Sequence, residues 1–373
     1  MKRLVCFTFL SLLKAAPVYA GDTEVLEQVY QLVRDEYVLP AKIEQLAVPS
    51  LKALKEIDSR IRVGDDGGRL SLYANGRLQT TQRKPENRQD AKAWAALTQK
   101  LIKAAQKASP ELMRKDFEIV DTILAYGIKD FDVDSTYYPD LELSRSPASS
   151  GKVLRAYSER VMDNGILYVR LGAMNKFSRE ALATGIRKYP AVKGLILDLR
   201  GNPGGAFKQA VEIAGMFLDG GIVASVQGKE DDSVEIYDAP DGDILGDKPI
   251  AVLIDGQTAS SAEVLAGTLQ EQSRAVVVGA RSYGKGSVQK LTELPNHSRL
   301  ALTNALVFLP SGKKVAGEGI MPDICTVGEL ETTDPEKIIQ RHKKTAICVR
   351  QERGSSDLDI DVAHTYLQQN IKN

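Results

Sequence analysis

The sequence predicts an α/β protein in which a mostly helical N-terminal part precedes a layer of alternating strands and helices. Apolar residues recur at helical spacing in the first third of the chain, whereas apolar strands and amphipathic helices alternate from about residue 160 onward. The 373 residues are enough for a large core and two structural units. Lys plus Arg and Asp plus Glu both number 49, so the charge balance favours neither nucleic acid nor an acidic membrane surface as a partner.

The first twenty residues differ in composition from the rest of the chain. Lys2 and Arg3 precede an apolar run over 4–13, and the stretch closes with Val18-Tyr19-Ala20. This pattern predicts a secretory signal peptide over residues 1–20, with an apolar N-terminal helix as the alternative. The apolar run is shorter than the ~20 residues that a membrane-spanning helix needs. We therefore expect an exported protein, periplasmic or secreted.

The cysteines agree with export without deciding the matter. Cys6 leaves with the signal peptide, and Cys325 and Cys348 remain. An oxidising compartment would permit a disulfide between them, but two buried thiols fit the sequence equally well. No cysteine–histidine cluster predicts a metal site.

Residues 21–143 are predicted to form a mostly helical N-terminal domain. The predicted elements are a helix over 24–38, a hairpin over 69–80 turning at Asn75-Gly76, a helix over 91–106 capped by Asp90, and a helix from Ser109-Pro110 to about Tyr126. The stretch SRSPASSGK, over 144–152, is predicted to be a linker.

The part after the linker alternates between strand and helix patterns. The predicted strands are 165–171, 192–199, 248–256, 274–280, 286–294 and 299–310, and the predicted helices are 178–189, 204–221 and 261–272. The charged tail over 326–373 is helical by pattern.

Three stretches resemble ligand-binding loops but lack a required residue. GARSYGKGS, over 279–287, has Gly286 where a phosphate-binding loop has Ser or Thr. DFDVDSTYYPDLE, over 130–142, has Ser135 and Leu141 where a calcium loop has Gly and Glu. LDLRGNPGG, over 197–205, lacks dinucleotide spacing, although its turn can present N–H groups to an anion. We therefore predict no nucleotide, no metal and no other cofactor.

The stretch GQTASSAEVLAGTLQ, over 256–270, places Ser260 and Ser261 where a turn gives way to a helix. A serine hydroxyl becomes a useful nucleophile only when a base takes its proton. His297, His342 and His364 are the only histidines, and none is near this stretch in sequence. Lys285 in the glycine-rich turn is the alternative base. The structural alternatives are a helix N-cap for Ser260 and a surface position for Lys285.

A lysine acts as a base only when it is neutral. Its free pKa is about 10.4, whereas a useful base has a pKa of about 7 to 8, so we expect burial to favour the neutral amine. Gln289 follows in a predicted strand, about 13 Å from Lys285 if the chain is extended. The turn must therefore bend if the amide oxygen of Gln289 is to accept a hydrogen bond from the amine.

Three stretches together resemble the carboxy-terminal processing peptidases, the S41 or tail-specific protease family. They are GLILDLRGNPGGAFKQAVEIAGMFL over 194–218, GQTASSAEVLAGTLQEQSRAVVVGARSYGKGSVQ over 256–289 and GEGIMPDI over 317–324. Weaker similarity occurs at LEQVYQLVRDEYV and DFDVDSTYY. The resemblance covers about 155–325 and implies a ClpP/crotonase-like βα catalytic core.

The resemblance also implies roles for individual residues. The family pattern T-A-S-x-S-E makes Ser260 the nucleophile, with Ala262 in place of the second serine and Glu263 retained. The pattern F-G-K-G-x-x-Q makes Lys285 the base and Gln289 the third member, with Tyr283 in place of Phe.

The same resemblance implies an oxyanion hole. Its donors would be the N–H of Ser261 and a glycine N–H from Gly204 or Gly205. Glu271 stands where several family members carry an acid, so it is either a charge partner or a solvated helix residue.

The family usually carries a PDZ domain before its catalytic core. The interval between DSTYYPDLE and ERVMDNGILYVRL is too short for about 90 residues of PDZ, and residues 50–115 do not match one. We therefore expect a PDZ-lacking member, with the helical N-terminal domain, a regulatory partner or homo-oligomer assembly in the place of PDZ gating.

The resemblance and the residues together predict a serine endopeptidase acting on exported proteins or their C-terminal tails through an acyl-enzyme. Protein or peptide substrates are the expected partners, and nucleic acid is not. The alternative is a non-catalytic scaffold or binding protein that retains the fold.

Overall fold

The computed structural model describes residues 21–115, 118–139, 157–230, 233–240, 242–328, 332–342, 348–353 and 357–371. The predicted signal peptide over 1–20 and the predicted linker over 144–152 lie outside these residues. None of the described helices combines the length and the apolar character that a membrane crossing requires.

The N-terminal part consists of helices and one small sheet. Its helices are α1 (Asp22–Glu36), α2 (Glu44–Lys52), α3 (Leu54–Ile57), α4 (Ala91–Ala108), α5 (Pro110–Arg114) and α6 (Ile119–Phe131). Its antiparallel sheet has the order β1 (Ile61–Asp65), β2 (Arg69–Ala74) and β3 (Arg77–Arg83). Asn75 and Gly76, both at positive φ, form the predicted hairpin turn.

The apolar faces of these helices meet in one core. α4 begins at Asp90, whose side chain accepts a hydrogen bond from the N–H of Ala93, and it buries Trp94 and Leu101 completely. The indole N–H of Trp94 donates a hydrogen bond to the carbonyl of Arg88, at 3.1 Å. The period-3.6 pattern of the sequence therefore corresponds to the buried stripe of each long helix.

The second part is built on a six-stranded sheet in the order β14-β11-β10-β7-β6-β5. Its strands are β5 (Tyr157–Val161), β6 (Ile166–Leu171), β7 (Gly194–Asp198), β10 (Ile250–Ile254), β11 (Ala275–Gly279) and β14 (Ile324–Cys325). Neighbouring strands are parallel except β5, which runs antiparallel to β6. Strands β7 and β10 are buried at every position, as expected for a sheet covered on both faces.

Three helices connect or flank these strands: α7 (Ser178–Lys188), α8 (Phe207–Ala214) and α9 (Ser261–Glu271). Because β7 and β10 are parallel neighbours, their carboxyl ends lie at the same edge of the sheet. The turns that precede α8 and α9 therefore meet at that edge, where ligands bind in open α/β sheets.

A second sheet joins the two parts of the chain. It has the order β12-β13-β8-β9, with β4 paired to β13, and its strands are β4 (Thr136–Tyr138), β8 (Ile222–Gly228), β9 (Val234–Asp238), β12 (Ser287–Glu293) and β13 (Arg299–Phe308). Leu300 and Leu302 of β13 belong to the same apolar core as the N-terminal helices. The helical part thus packs directly on the strands that follow Lys285.

The C-terminal segment folds back onto the six-stranded sheet. Its helices are α10 (Pro335–His342) and α11 (Asp357–Asn370), and Val362 and Leu367 of α11 are buried against this sheet. A disulfide joins Cys325 at the end of β14 to Cys348. Of the two states that the sequence left open for this pair, the structure has the bonded one.

The predicted α/β class is confirmed, but several element predictions were wrong. The single helix predicted from Ser109 to Tyr126 is two helices, since Lys115 leaves the helical region at ψ 27° and α6 continues to Phe131. The helix predicted over 204–221 is shorter, because Gly204 and Gly205 form a turn and the helix ends at Ala214. Strands β1, β5, β8 and β9 were not predicted, because mixed polar and apolar residues give these edge or peripheral strands only a weak period-2 signal.

Candidate active site

The turn after β10 is organised by the buried carboxylate of Asp255. Its Oδ1 accepts hydrogen bonds from the N–H groups of Gln257 and Thr258, both at 3.1 Å. The same oxygen accepts from the N–H of Gly201 at 2.9 Å. Because Gly201 belongs to the turn after β7, one carboxylate fixes the two turns to each other.

Ser260 closes this turn in an unusual backbone conformation. Its φ of 57° and ψ of −128° lie outside the regions that residues with a Cβ normally occupy. Such a conformation costs about 1 to 3 kcal/mol and tends to occur at functional sites. Ser260 is half-buried, whereas Ser261 is 1 % exposed and its Oγ has no hydrogen-bond partner among the described residues. Of the two adjacent serines, Ser260 therefore keeps the solvent access that a nucleophile needs.

Glu263, one turn into α9, connects the serine turn to the lysine turn. Its Oε2 accepts from the N–H of Ser260 and the N–H of Lys285, both at 2.8 Å. Its Oε1 accepts from the Oγ of Ser282 at 2.5 Å and the N–H of Gly284 at 2.6 Å. Burial raises the pKa of Glu263, and these four donors act in the opposite direction. A single carboxylate thus sets the backbone positions of both predicted catalytic residues.

The lysine turn is also held by its glycines. A Cβ on Gly286 would lie 2.2 Å from the N of Ala316, and a Cβ on Gly284 would lie 3.2 Å from the N of Gly319. The N–H of Tyr283 donates to the carbonyl of Thr258 at 2.9 Å, which is a second link between the two turns. Neighbouring backbone therefore packs closely against both glycines that flank Lys285.

Lys285 is half-buried and lines a cavity of about 800 Å³. The turns after β7 and β10, the lysine turn, the end of α6 and the C-terminal segment all contribute to this cavity. Its lining residues are Val133, Asp134, Gly201, Pro203, Gly256, Gln257, Ala259, Tyr283, Lys285, Arg350, Gln351 and Glu352. The cavity therefore lies where the predicted nucleophile turn and base turn meet.

Gln289 takes part in a hydrogen-bond chain that runs through Ser287 to Asp134, which lines the same cavity as Lys285. Its Nε2 donates to the Oγ of Ser287 at 2.8 Å, and that hydroxyl donates to the Oδ2 of Asp134 at 2.6 Å. Among the described residues, no hydrogen bond joins Gln289 to Lys285. A register shift between Val288 and Gln289 supplies the bend that the sequence required, but the amide nitrogen is directed toward Ser287.

The glycine turn after β7 packs directly against the serine turn. A Cβ on Gly204 would lie 2.8 Å from the Cβ of Ser260 and 3.0 Å from the N of Ser261, so only glycine fits. The N–H of Gly204 donates to the Oδ1 of Asn202 at 2.9 Å. Among the described residues, no hydrogen-bond acceptor engages the N–H of Gly205 or of Ser261.

Arg200 lies beneath this glycine turn in a buried charge network. It is fully buried and pairs with Asp198 at 2.7 Å and with Asp359 of α11 at 2.9 Å. Burial alone would raise the pKa of Asp198, but the hydrogen bonds and charge of Arg200 hold it below its usual value. Burial likewise opposes the charge of Arg200, and the two carboxylates more than offset it, so the pKa of Arg200 is raised.

The structure places Glu271 away from the cavity. Its carboxylate accepts from the N–H and the Oγ of Ser311, at 2.9 and 2.8 Å. It ends α9, about 15 Å along the helix axis from Ser261. Its contacts are those of a loop-binding residue rather than a charge partner for Lys285.

Sequence reasoning missed several residues of the site. Asp255 directly follows the buried strand β10, and Asp198 ends the buried strand β7, so a position at the carboxyl end of a buried strand was the available signal. Asp134 lies in DFDVDSTYY, a stretch that resembles an incomplete calcium loop and has a weak similarity to the family but does not predict a role for this residue. No feature of the sequence predicted a place for Arg350 in the site. It reaches the cavity because the C-terminal segment folds back and is bonded to Cys325 through Cys348.

Comparison with known proteins finds a peptidase family and curated relatives that match part of this chain. Residues 165–326 match the model for peptidase family S41. The carboxy-terminal-processing protease of Bartonella bacilliformis is 44 % identical over 146 residues, which are 39 % of this chain and 33 % of that protein. The chloroplastic C-terminal processing peptidase of Tetradesmus obliquus is 35 % identical over 176 residues, which are 46 % of this chain and 37 % of that protein. The matches thus span about a third of the length of these curated relatives.

Solved structures extend the similarity of fold over most of the chain. A photosystem II D1 C-terminal processing protease aligns with a TM-score of 0.52 at 17 % identity, covering 90 % of this chain and 100 % of that one. A peptidase structure from Parabacteroides merdae aligns with a TM-score of 0.53 at 16 % identity, covering 93 % and 97 %. These structures show the fold alone, and the family model identifies residues 165–326 as a peptidase S41 domain.

Proposed function

We propose that this protein is a serine peptidase in which Ser260 is the nucleophile and Lys285 is the base. The observation that carries the proposal is the bridge through Glu263, whose one oxygen accepts the N–H groups of both residues. A helix that needed only an N-terminal cap would not require a serine at φ 57° or a second turn tied to the same carboxylate. The names of the curated relatives support the reaction class.

In the first step, the Oγ of Ser260 attacks the carbonyl carbon of the scissile peptide bond, and the neutral amine of Lys285 takes the hydroxyl proton. The carbonyl oxygen becomes an oxyanion, which the N–H groups of Ser261 and Gly205 stabilise. Gly205 is the preferred glycine donor because the N–H of Gly204 is engaged by Asn202.

Collapse of the tetrahedral intermediate then breaks the carbon–nitrogen bond. Lys285 returns its proton to the leaving amine, and the acyl group remains on Ser260 as an ester. In the second half-reaction, Lys285 takes a proton from a water that attacks the ester. The second tetrahedral intermediate then collapses: the bond between the acyl carbon and the Oγ of Ser260 breaks, and Lys285 gives its proton to that oxygen. The acid product leaves, and the serine hydroxyl and the neutral amine are restored.

Gln289 acts indirectly in this proposal. Through Ser287 and Asp134 it fixes the strand that follows Lys285, so it holds the base turn rather than the amine. The N-terminal domain over 21–143 then takes the place of a PDZ domain, because Asp134 and Val133 bring it to the edge of the cavity. A regulatory partner or homo-oligomer is the other proposed replacement.

We also propose that the protein is exported and acts on exported proteins or their C-terminal tails. The pattern of residues 1–20 and the disulfide between Cys325 and Cys348 both fit an oxidising compartment. Residues 155–325 form the proposed catalytic core, and residues 326–373 a mostly helical tail.

Hydrolysis of casein by purified protein tests the proposal. Ser260→Ala and Lys285→Ala should each reduce the rate to background. Two variants serve as matched controls: Ser261→Ala, which removes a buried hydroxyl without a partner, and Lys290→Ala, which removes an exposed lysine. Both controls should retain cleavage. Equal cleavage by all forms would refute the assignment. If the unmodified protein cleaves neither casein nor any of several peptides, the non-catalytic scaffold is favoured.

A further inference from the structure

The C-terminal segment brings a second cation to the proposed catalytic cavity. Cys348, two residues before Arg350, is bonded to Cys325 at the end of β14. The N–H of Gly256 donates to the carbonyl of Gln351 at 2.7 Å, at the start of the serine turn. The segment is therefore attached on both sides of Arg350, and the disulfide and the backbone hydrogen bond determine where that side chain lies.

The guanidinium of Arg350 lies between the two catalytic turns. A Cβ on Gly256 would be 3.0 Å from the Cγ of Arg350, and a Cβ on Gly284 would be 3.4 Å from its Nη2. Its Nε donates to the carbonyl of Ser282 at 3.0 Å, and its Cζ lies 5.4 Å from the ring centre of Tyr283. These contacts restrict the side chain before any ligand arrives.

Other arginines near the cavity are already engaged. Arg200 and Arg353 pair with buried Asp359, Arg170 pairs with Asp198, and Arg281 donates to two backbone carbonyls. Within the described part of the chain, no carboxylate lies at ion-pair distance from Arg350, although Asp134 and Glu352 line the same cavity. Its two terminal nitrogens therefore retain the paired donors that match a carboxylate.

We propose that Arg350 binds a carboxylate of the substrate on the C-terminal side of the scissile bond. This inference rests on the proposed peptidase function, since Lys285 protonates the amine of the C-terminal fragment and Arg350 lies against Gly284, the residue before Lys285. The carboxylate is either the free C-terminus of a short tail or the side chain of an Asp or Glu. Val133, which is 75 % exposed, and Tyr283 give the same cavity an apolar surface for a neighbouring side chain.

Peptide pairs that differ only in the C-terminal group provide the test. A peptide cleaved by the wild type is prepared as free acid and as amide, with one, two, three or six residues after the cut. We expect kcat/KM to be at least 10-fold higher for the acid when the fragment is short, and equal for acid and amide at six residues. A third arm places Glu at each of these positions in the amide, and a preference there identifies a side-chain carboxylate as the ligand.

Variants assign the preference to Arg350. Arg350→Gln should abolish the acid-to-amide difference, because kcat/KM for the acid should fall to the value for the amide. Arg350→Lys should retain part of the difference, because the charge remains and the paired geometry is lost. Arg187→Gln, on the exposed face of α7, is the control and should leave the difference intact. An unchanged preference in Arg350→Gln, or no preference for any carboxylate in the wild type, would overturn the proposal.

A binding measurement separates this proposal from the peptidase assignment. Ser260→Ala, titrated with the acid and amide peptides, should bind the acid at least 10-fold more tightly, and the added change Arg350→Gln should remove that difference. If the wild type cleaves nothing while this binding preference is present, the peptidase assignment fails and the carboxylate site stands. If cleavage occurs and the Ser260→Ala form binds acid and amide equally, the carboxylate site fails.

Discussion

At the scale of single residues, Gly204 is a position beside Ser260 that leaves no room for a side chain. Its φ is 90°, and any Cβ would meet the Cβ of Ser260 and the carbonyl of Ala259, at 2.8 and 2.7 Å. The serine side chain can be in contact with the glycine turn only because that Cβ is missing. The pattern NPGG over 202–205 is therefore needed for two reasons: it forms the turn, and it lets Gly204 pack against Ser260.

We predict that Gly204→Ala lowers kcat for peptide hydrolysis about 100-fold, because it displaces Ser260 and the N–H of Ser261 from their places. Steady-state kinetics on a cleaved peptide measures the effect. Gly312→Ala is the matched control, since Gly312 also has a positive φ of 83° but its Cβ would have no neighbour within 4 Å. That control should lose about 1 to 2 kcal/mol of stability and keep its activity. Equal activity loss in both variants would mean that strain, not the contact with Ser260, is responsible.

The choice between Ser260 and Ser261 shows what the residues alone could and could not decide. The sequence placed both at a helix start, and only the family resemblance selected Ser260. Backbone dihedrals and burial supply the physical reason, which is absent from any local pattern: Ser260 is strained and partly exposed, and Ser261 points into the core.

At the scale of elements, α9 both presents Ser260 and carries the residue that positions Lys285. Glu263 is on the first turn of the helix, so its carboxylate faces the lysine turn after β11. Each of its oxygens accepts two hydrogen bonds. An amide in the same place can present only one accepting oxygen.

We predict that Glu263→Gln leaves at least one buried backbone N–H without an acceptor and lowers the free energy of unfolding by about 1 to 3 kcal/mol. The two turns then lose their common anchor, so kcat should fall more than KM rises. Urea unfolding and peptide kinetics check both parts. Glu180→Gln, on the exposed surface of α7, should change neither quantity. Full activity in Glu263→Gln would show that the bridge is not needed for catalysis.

The elements themselves were predictable to different degrees. Long helices such as α4 have a strong helical periodicity, and buried strands such as β7 and β10 are continuous apolar runs, so both kinds of element matched their predictions. Strand β12 was predicted, but the direction of the Gln289 amide was not, because a register shift in the pairing with β13 determines it. Such a shift depends on the partner strand, so the sequence of β12 alone does not predict it.

At the scale of the whole molecule, distant parts of the chain converge beneath and around the cavity. Asp134 comes from the N-terminal part, Arg350 from the C-terminal segment, and Asp359 from α11. Long-range contacts of this kind could not be predicted from composition or motif spacing. The family resemblance pointed to the turns that carry Ser260 and Lys285 but not to the two segments that complete the cavity.

The buried network of Asp198, Arg200 and Asp359 connects α11 to the glycine turn and should be visible in the pH dependence of stability. The pKa of Asp198 is lower in the folded protein than in the unfolded chain. Its contribution is therefore present above the unfolded pKa of about 4 and is lost as pH falls through the folded value.

We predict that Asp198→Asn costs about 3 to 5 kcal/mol of unfolding free energy at neutral pH, because it leaves part of the charge of Arg200 uncompensated. The difference from the wild type should shrink as the pH falls from about 4 toward the lower folded pKa of Asp198, because the unfolded chain takes up a proton at this carboxyl first. Urea titrations between pH 3 and pH 7 give the comparison. Asp361→Asn on the exposed side of α11 is the surface control, with a small difference expected at neutral pH. A difference for Asp198→Asn that grows toward acid would contradict the assigned sign.

Acid-quench mass spectrometry of the protein during turnover of an activated peptide ester tests the central claim most directly. The quenched protein is digested, and the peptide that contains residues 256–270 is fragmented to locate any acyl group. We predict an acyl ester on Ser260 in the wild type and none in Ser260→Ala, with slower accumulation in Lys285→Ala. An acyl group on Ser261 would contradict the account. So would hydrolysis of the ester by the wild type in which residue 260 is unmodified at every quench time.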